Sequence, residues 1–332
     1  MNTVVKQADV DAISQAADII KAGGLVAFPT ETVYGLGCNA LDAVACAKVY
    51  AAKGRPSDNP LISHIAAAEQ LSDLVADVPP NAKALMDKFW PGPLTIVFNA
   101  AAGGTIGVRM PRNPVALKLI QAAGVPVAAP SANTSGRPSP TRASHVLADL
   151  NGRVEMILDG GSCEHGLEST VIDCTAQPPV ILRPGSITKE MIEELIGEVG
   201  LLTDVAGDTV PKAPGMKYKH YAPKATLTVV VGNRDDVAKE IVRLADSATG
   251  RVGIMATAQS VGLYEGRTTL NMGQTAEEIA AGLFGLLRKC DELGLDEVFV
   301  EGVAEDGLGA AIMNRLKKAA AHRVRKVPPT RN

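Results

Sequence analysis

The chain has 332 residues, 46% of them hydrophobic and 21% charged, with a formal net charge of −3. That length supports two ordinary domains with real cores, and the composition excludes a disordered chain. The acidic balance excludes nucleic-acid binding by bulk charge, and an aromatic content of 3% leaves little for base-stacking platforms.

In chain order, "DVDAISQAADIIKA" at 9–22 places Val10, Ile13, Ala17 and Ile20 on one helical face, and Gly23-Gly24 ends it. "GLVAFP" follows as a buried strand. Further strands are expected at 61–65, 94–99, 105–110, 125–130, 154–159, 169–174 and 179–183, and helices at 42–52, 66–76, 80–89, 114–123, 141–150 and 188–198. Several strands follow one another directly, which favours a mixed α+β sheet over a doubly wound parallel one. The texture changes near Leu201: "LLTDVAGDTVPKAPGMKYKHYAPKA" has no periodic apolar pattern and reads as an interdomain linker. Strand and helix then alternate, with strands in "ATLTVVVG", "RVGIMAT" and "EVFVEGV" and helices at 234–247, 274–293 and 309–320. Repeated βα units imply a smaller Rossmann-like α/β three-layer domain with a parallel sheet. The expected division is 1–203, linker 204–224 and 225–332.

Cys38, Cys46, Cys163, Cys174 and Cys290 form no C-x-x-C pair, which suits a reducing cytoplasm. The N-terminus has no signal-peptide pattern and no apolar run approaches the ~20 residues of a membrane span, so a soluble cytoplasmic protein is expected.

Five stretches could carry chemistry. In "AAKGRPSDNPLISHI", Lys53 and Arg55 offer a point charge and a planar fork for phosphate, with Asn59 and His64 nearby on a loop stiffened by prolines. A solvated surface loop is the plain alternative. "FPTETVYGLGCNA" releases Thr30, Glu31, Thr32 and Tyr34 from a strand end into a glycine-punctuated turn, either as a ligand site or as caps for the helix from Asp42. Arg109 in "GVRMPRNP" alternates with apolar residues and needs an anion, from a protein carboxylate or from a ligand. "APSANTSGRPSPT" sets hydroxyls and amides after a strand, where they can cradle phosphate or cap a helix. "GLESTVIDC" with "ILRPGSI" adds Ser169 at a strand start and Arg183 at a strand end. There is no P-loop, no dinucleotide fingerprint and no nucleophile elbow. Anion donors without a nucleophile fit catalysis by positioning and charge neutralisation, as in nucleotidyl transfer. No carboxylate cluster stands out, so Mg²⁺ is expected on nucleotide phosphates, with no protein metal site.

Taken together, "PTETVYGLG", "KGRPSDNPLISHI", "WPGPLT", "VRMP", "PSAN" and "ESTVID", in this order and spacing, resemble the YrdC-like family of threonylcarbamoyl-AMP synthases. "APGMKYKHYAP" and the βα tail resemble its longer two-domain members. The resemblance implies an N-terminal YrdC-like mixed twisted sheet with flanking helices. It also implies synthesis of L-threonylcarbamoyl-AMP from L-threonine, bicarbonate or CO₂, and ATP, with release of pyrophosphate. A threonylcarbamoyl-transferase complex then modifies tRNA next to the anticodon. By resemblance, Thr32, His64, Arg109, Ala129 and Ser169 bind threonine. Lys53, Arg55, Asn59, Thr105, Ser131, Asn133, Ser139 and Arg183 bind ATP.

The linker between Thr209 and Asn233 has no acidic residue, and it holds Lys217, Tyr218, His220 and Tyr221. It is expected to close over the site as a lid that keeps water from a labile anhydride. The alternative to catalysis is a module that binds double-stranded RNA or tRNA, and weak RNA binding is compatible with either. The motifs need no second subunit, so a monomer is expected.

Overall fold

The structure, a computed structural model, describes residues 2–202 and 220–329. The chain divides into two compact units, Met1–Ser135 with Ser139–Tyr218, and Gly136–Pro138 with Lys219–Asn332.

The first unit runs β1 (Val4–Gln7), α1 (Val10–Lys21), β2 (Val26–Phe28), β3 (Gly35–Asn39), α2 (Ala43–Lys53), β4 (Ile62–His64), α3 (Pro80–Phe89), β5 (Leu94–Asn99) and β6 (Thr105–Arg109). It continues through α4 (Pro114–Ala123), β7 (Val127–Ala128), α5 (Ala143–Leu150), β8 (Met156–Asp159), β9 (Thr170–Asp173), β10 (Val180–Arg183), α6 (Lys189–Ile196) and β11 (Gly200–Leu201). Among the described residues these strands form one mixed sheet of eleven, in the order β1-β8-β2-β3-β7-β4-β6-β5-β9-β10-β11. The α+β expectation holds.

Local chemistry sets the helix ends. Asp9 accepts from Ala12 N to start α1, Asp42 accepts from Val44 N and Ala45 N to start α2, and Gly54 closes α2 at a φ of 60°. The α1 stripe is Ala12, Ile13, Ala16, Ala17 and Ile20, packed with α4 over β2, β7 and β8. Val10, expected on that stripe, is 76% exposed because the first helical residue lies off the buried face. The opposite face is covered by α2 and α5 at one end and by α3 and α6 at the other.

Three expectations are corrected. The helix at 66–76 is a short 3₁₀ turn, Ala68–Asp73, with the Gln70 side chain accepting from Ala66 N and Ala67 N. The strand at 125–130 shrinks to Val127–Ala128. Residues 35–39, read as a glycine turn, form the strand β3. Its glycines make room: a Cβ on Gly37 would lie 2.7 Å from the Phe28 ring and 2.8 Å from Val127. The Phe28 ring therefore lies across β3 and meets His64 edge-on, 6.4 Å between centroids.

The second unit carries β12 (Thr226–Val231), α7 (Arg234–Ser247), β13 (Val252–Ala256), β14 (Thr269–Asn271), α8 (Ala276–Glu292), β15 (Glu297–Glu301), α9 (Leu308–Ala319) and β16 (Val324–Lys326). Among the described residues its five strands are all parallel, in the order β14-β13-β15-β12-β16. This is the Rossmann-like sheet expected from the βα rhythm, with β14 and β16 added. Among the described residues no helix is long and apolar enough to cross a membrane.

Candidate active site

Side chains alternate along a strand, so Thr105, Gly107 and Arg109 share one face of β6. His64 is the register partner of Arg109 on β4, and a Cβ on Gly107 would meet Thr95 and Ile62, which fixes these as one face. Ser169, just before β9, joins them: its hydroxyl lies 2.7 Å from that of Thr95. Arg183, at the end of β10, donates from Nε to Ser169 O at 3.1 Å and from Nη2 to Ser169 Oγ at 3.2 Å. One sheet face thus collects His64, Arg109, Ser169 and Arg183, all buried.

Arg109 is held on three sides. Nε donates to Gly92 O at 3.1 Å, Nη1 to Thr32 Oγ1 at 2.9 Å and Nη2 to Glu31 Oε1 at 2.6 Å. A guanidinium has five N–H donors, so two remain unspent among the described residues. The other oxygen of Glu31 accepts from Arg112 N at 3.1 Å and Asn113 N at 3.4 Å. Burial alone would raise the Glu31 carboxyl, but the charge and hydrogen bonds of Arg109 outweigh it and hold the group below its usual range. The turn before it is fixed by Thr30, whose hydroxyl donates to Val33 O at 2.7 Å and lies 2.8 Å from Thr32 Oγ1. Burial first, and then the neighbouring Arg109, push the His64 imidazole down to about 3, so it is neutral at neutral pH. Its Nδ1 lies 3.2 Å from Ile62 O.

A second group forms where α2 ends. Lys53, expected to hold phosphate, is buried at 1% exposure, with Nζ donating to Ser131 O and, at 2.6 Å, to Asn133 O. It fastens the 131–133 loop to α2, and burial followed by Arg55 lowers its ammonium well below the ordinary lysine range. Arg55 folds its own loop, Nε to Asn59 O at 3.1 Å and Nη2 to Pro60 O at 2.9 Å. Asn59 is 2% exposed, and its side-chain oxygen has no partner among the described residues. Ser131 Oγ donates to Asn133 Oδ1 at 2.6 Å, and Ser139 Oγ to Glu168 Oε1. Ala129 N is spent on Ile62 O at 2.9 Å, beside these groups. Thr105 stands apart: it is exposed at the start of β6, roughly 13 Å along the strand from Arg109. No three of His, Cys, Asp or Glu gather as a metal cage among the described residues.

Of the lid expectation, Lys217 and Tyr218 lie outside the described residues. Tyr221 sits in the second unit, stacked 5.2 Å from the Phe284 ring with Arg315 5.8 Å from its own centroid, and His220 lies beside it at 5.5 Å.

Sequence reasoning assigned no role to Thr95 or Glu168, and it placed Glu31 only in a turn that is either a ligand site or a helix cap. Their signals were present: Glu31 is a lone acid among hydroxyls just after a buried strand, and Glu168 precedes Ser169. "WPGPLT" also gains a purpose, since Gly92 O holds Arg109, Pro93 O accepts from Thr170 N, and Thr95 meets Ser169.

The family described as "Telomere recombination" matches residues 18–185, and the one described as "Threonylcarbamoyl-AMP synthase, C-terminal domain" matches 187–321. The chain is 50% identical to a Pyrococcus abyssi threonylcarbamoyl-AMP synthase over 94% of its own length and 95% of the relative's. It is 46% identical to the Bacillus subtilis protein of that name over 94% of each. Among solved structures, P. abyssi Sua5 complexed with L-threonine superposes with a TM-score of 0.91 at 47% identity, covering 98% of this chain and 99% of that one. Two family matches that follow one another along the chain, and relatives aligned over nearly its whole length, lead to one conclusion: the chain belongs to the threonylcarbamoyl-AMP synthase family, in its long two-domain form.

Proposed function

We propose that this chain makes L-threonylcarbamoyl-AMP. The amino nitrogen of L-threonine bonds to the carbon of CO₂, drawn from bicarbonate, and gives up a proton. A carboxylate oxygen of the resulting carbamate attacks the α-phosphorus of ATP, and pyrophosphate leaves with the P–O bond electrons. No covalent enzyme intermediate is needed, which suits a chain with no nucleophile elbow. The observation that carries the reading is the pinned guanidinium of Arg109, with two unspent N–H groups beside a neutral imidazole.

In this reading the threonine carboxylate takes those two N–H groups as a bidentate pair. His64, being neutral, accepts a hydrogen bond from the substrate ammonium or hydroxyl. Thr32, Ser169 and the backbone at Ala129 complete the subsite. Arg55, Asn59, Ser131, Asn133, Ser139 and Arg183 face the nucleotide, with Lys53 behind them as a support. The nucleotide extends along β6 toward Thr105. Mg²⁺, carried on the ATP phosphates rather than by a protein carboxylate cage, would supply charge neutralisation for the leaving pyrophosphate. The adenylate then serves a threonylcarbamoyl-transferase complex that modifies tRNA in the cytoplasm.

The test is pyrophosphate release by the purified chain from ATP and Mg²⁺, omitting L-threonine or bicarbonate in turn. Release that needs both is the expected result. Release indifferent to threonine would overturn the reading.

A further inference from the structure

Glu31 and Arg109 are 3% and 4% exposed and meet at 2.6 Å. Within the pair the two charges offset each other. His64 is neutral, and Arg112 turns its guanidinium outward to Glu164 at 2.8 Å, an exposed pair. Glu31 also ties two segments together, the 30–33 turn that carries it and the 112–113 stretch that opens α4. A lone buried arginine would welcome any anion, because any anion would offset its buried charge. An arginine already neutralised by a carboxylate is different. A plain carboxylate arriving there brings an uncompensated buried negative charge, whereas an amino acid brings its own ammonium.

We propose that Glu31 is a positioning and specificity residue: it fixes the Arg109 guanidinium and neutralises the subsite, so that the subsite takes a zwitterionic amino acid and rejects a plain carboxylate. The proposal rests on the reading of the Arg109 subsite as the threonine site. Glu31 acts through Arg109 and touches no reacting atom.

The experiment measures binding of L-threonine and of 3-hydroxybutyrate, which is threonine without its amino group, by calorimetry. The full chain is compared with Glu31→Gln and Glu31→Asp, each checked by thermal melting and ATP binding. The unaltered chain should prefer L-threonine by about a hundredfold or more. Glu31→Gln removes the charge at constant shape and should cut that preference by about tenfold or more, with ATP binding unchanged. Glu31→Asp keeps the charge and should keep the preference, even where absolute affinity falls. A preference unchanged in Glu31→Gln, or altered alike in both variants, would overturn the proposal. So would loss of threonine and ATP binding in proportion, which marks a merely structural residue. Should Glu31→Gln not fold, the unaltered chain still decides, since equal affinity for both compounds contradicts a neutral subsite. A chain that binds neither compound fails earlier, at the threonine reading itself.

Discussion

Replacing Arg109 with alanine would leave the Glu31 carboxylate buried at 3% exposure without its cation. Breaking such a pair from one side costs about 3–5 kcal/mol of stability. Loss of the charge-assisted contacts to substrate should also cost roughly 2–4 kcal/mol in kcat/KM for threonine, a fall of about thirtyfold to a thousandfold. Urea unfolding and pyrophosphate release read the two effects separately; an Arg109→Ala chain with unchanged kcat/KM would remove Arg109 from the site. His64 supplies a second prediction. Its imidazole titrates at about 3 in the folded chain, against about 6.5 for a free histidine. Between those values the unfolded chain binds more protons, so the stability held by His64 is complete above pH ~6.5 and is lost as pH falls toward the folded value. The whole effect is at most about 5 kcal/mol. A His64→Asn chain should show a flatter stability profile from about pH 6.5 down to pH 4 in urea titrations, and an equally steep profile would contradict the assignment. Arg109 was legible in sequence as a cation in need of an anion, and the carboxylate and ligand alternatives stayed open together. The geometry shows why: Glu31 takes one side of the fork and leaves another side free. Lys53 was less legible, because sequence shows that a cation is near a loop but not that it is sealed under it.

At the scale of elements, β3 matters most. Gly35 and Gly37 face the Phe28 ring, and an added Cβ at Gly37 meets both that ring and Val127 inside 3 Å. Gly37→Ala should therefore cost about 1–3 kcal/mol by overpacking, and it should weaken threonine binding by displacing the ring that lies against His64. Gly262→Ala, where nothing lies within 4 Å of the added atom, is the control and should stay within about 0.5 kcal/mol. Equal stability of the two variants would refute the packing argument. The same glycines explain why β3 was unreadable. A strand rich in glycine lacks the β-branched residues that announce strands, and its pairing with β2 and β7 supplies what propensity does not. The helix α4, capped by Asn113, and the amphipathic α7 over Arg234–Ser247 were legible almost to the residue. The segment at 66–76 was not, since its apolar residues serve a 3₁₀ turn against the core and never complete a helical face.

For the whole molecule, the site residues divide unevenly. Every described candidate from Thr32 to Arg183 belongs to the first unit, and only His220 and Tyr221 belong to the second. Among the described residues the second unit pairs its five strands with one another and has its own core around Ile241, Ile254, Tyr264 and Phe299. Glu301 is buried at the end of β15 and is satisfied by Thr257 and by Tyr264, whose hydroxyl lies 2.6 Å away. A unit with its own sheet, core and satisfied buried acid should fold when expressed alone as residues 219–332. Its melt should be cooperative, and its midpoint should ignore both L-threonine and ATP. The full chain should respond, because a ligand bound only by the folded state adds about 2.7 kcal/mol of stability at a hundred times its Kd. A fragment that melts without cooperativity would mean that the second unit depends on the first for its fold. A fragment whose midpoint rises with ATP would move a nucleotide contact into the second unit, to the part of the chain where sequence found no glycine fingerprint and where parallel strands present their carboxyl ends.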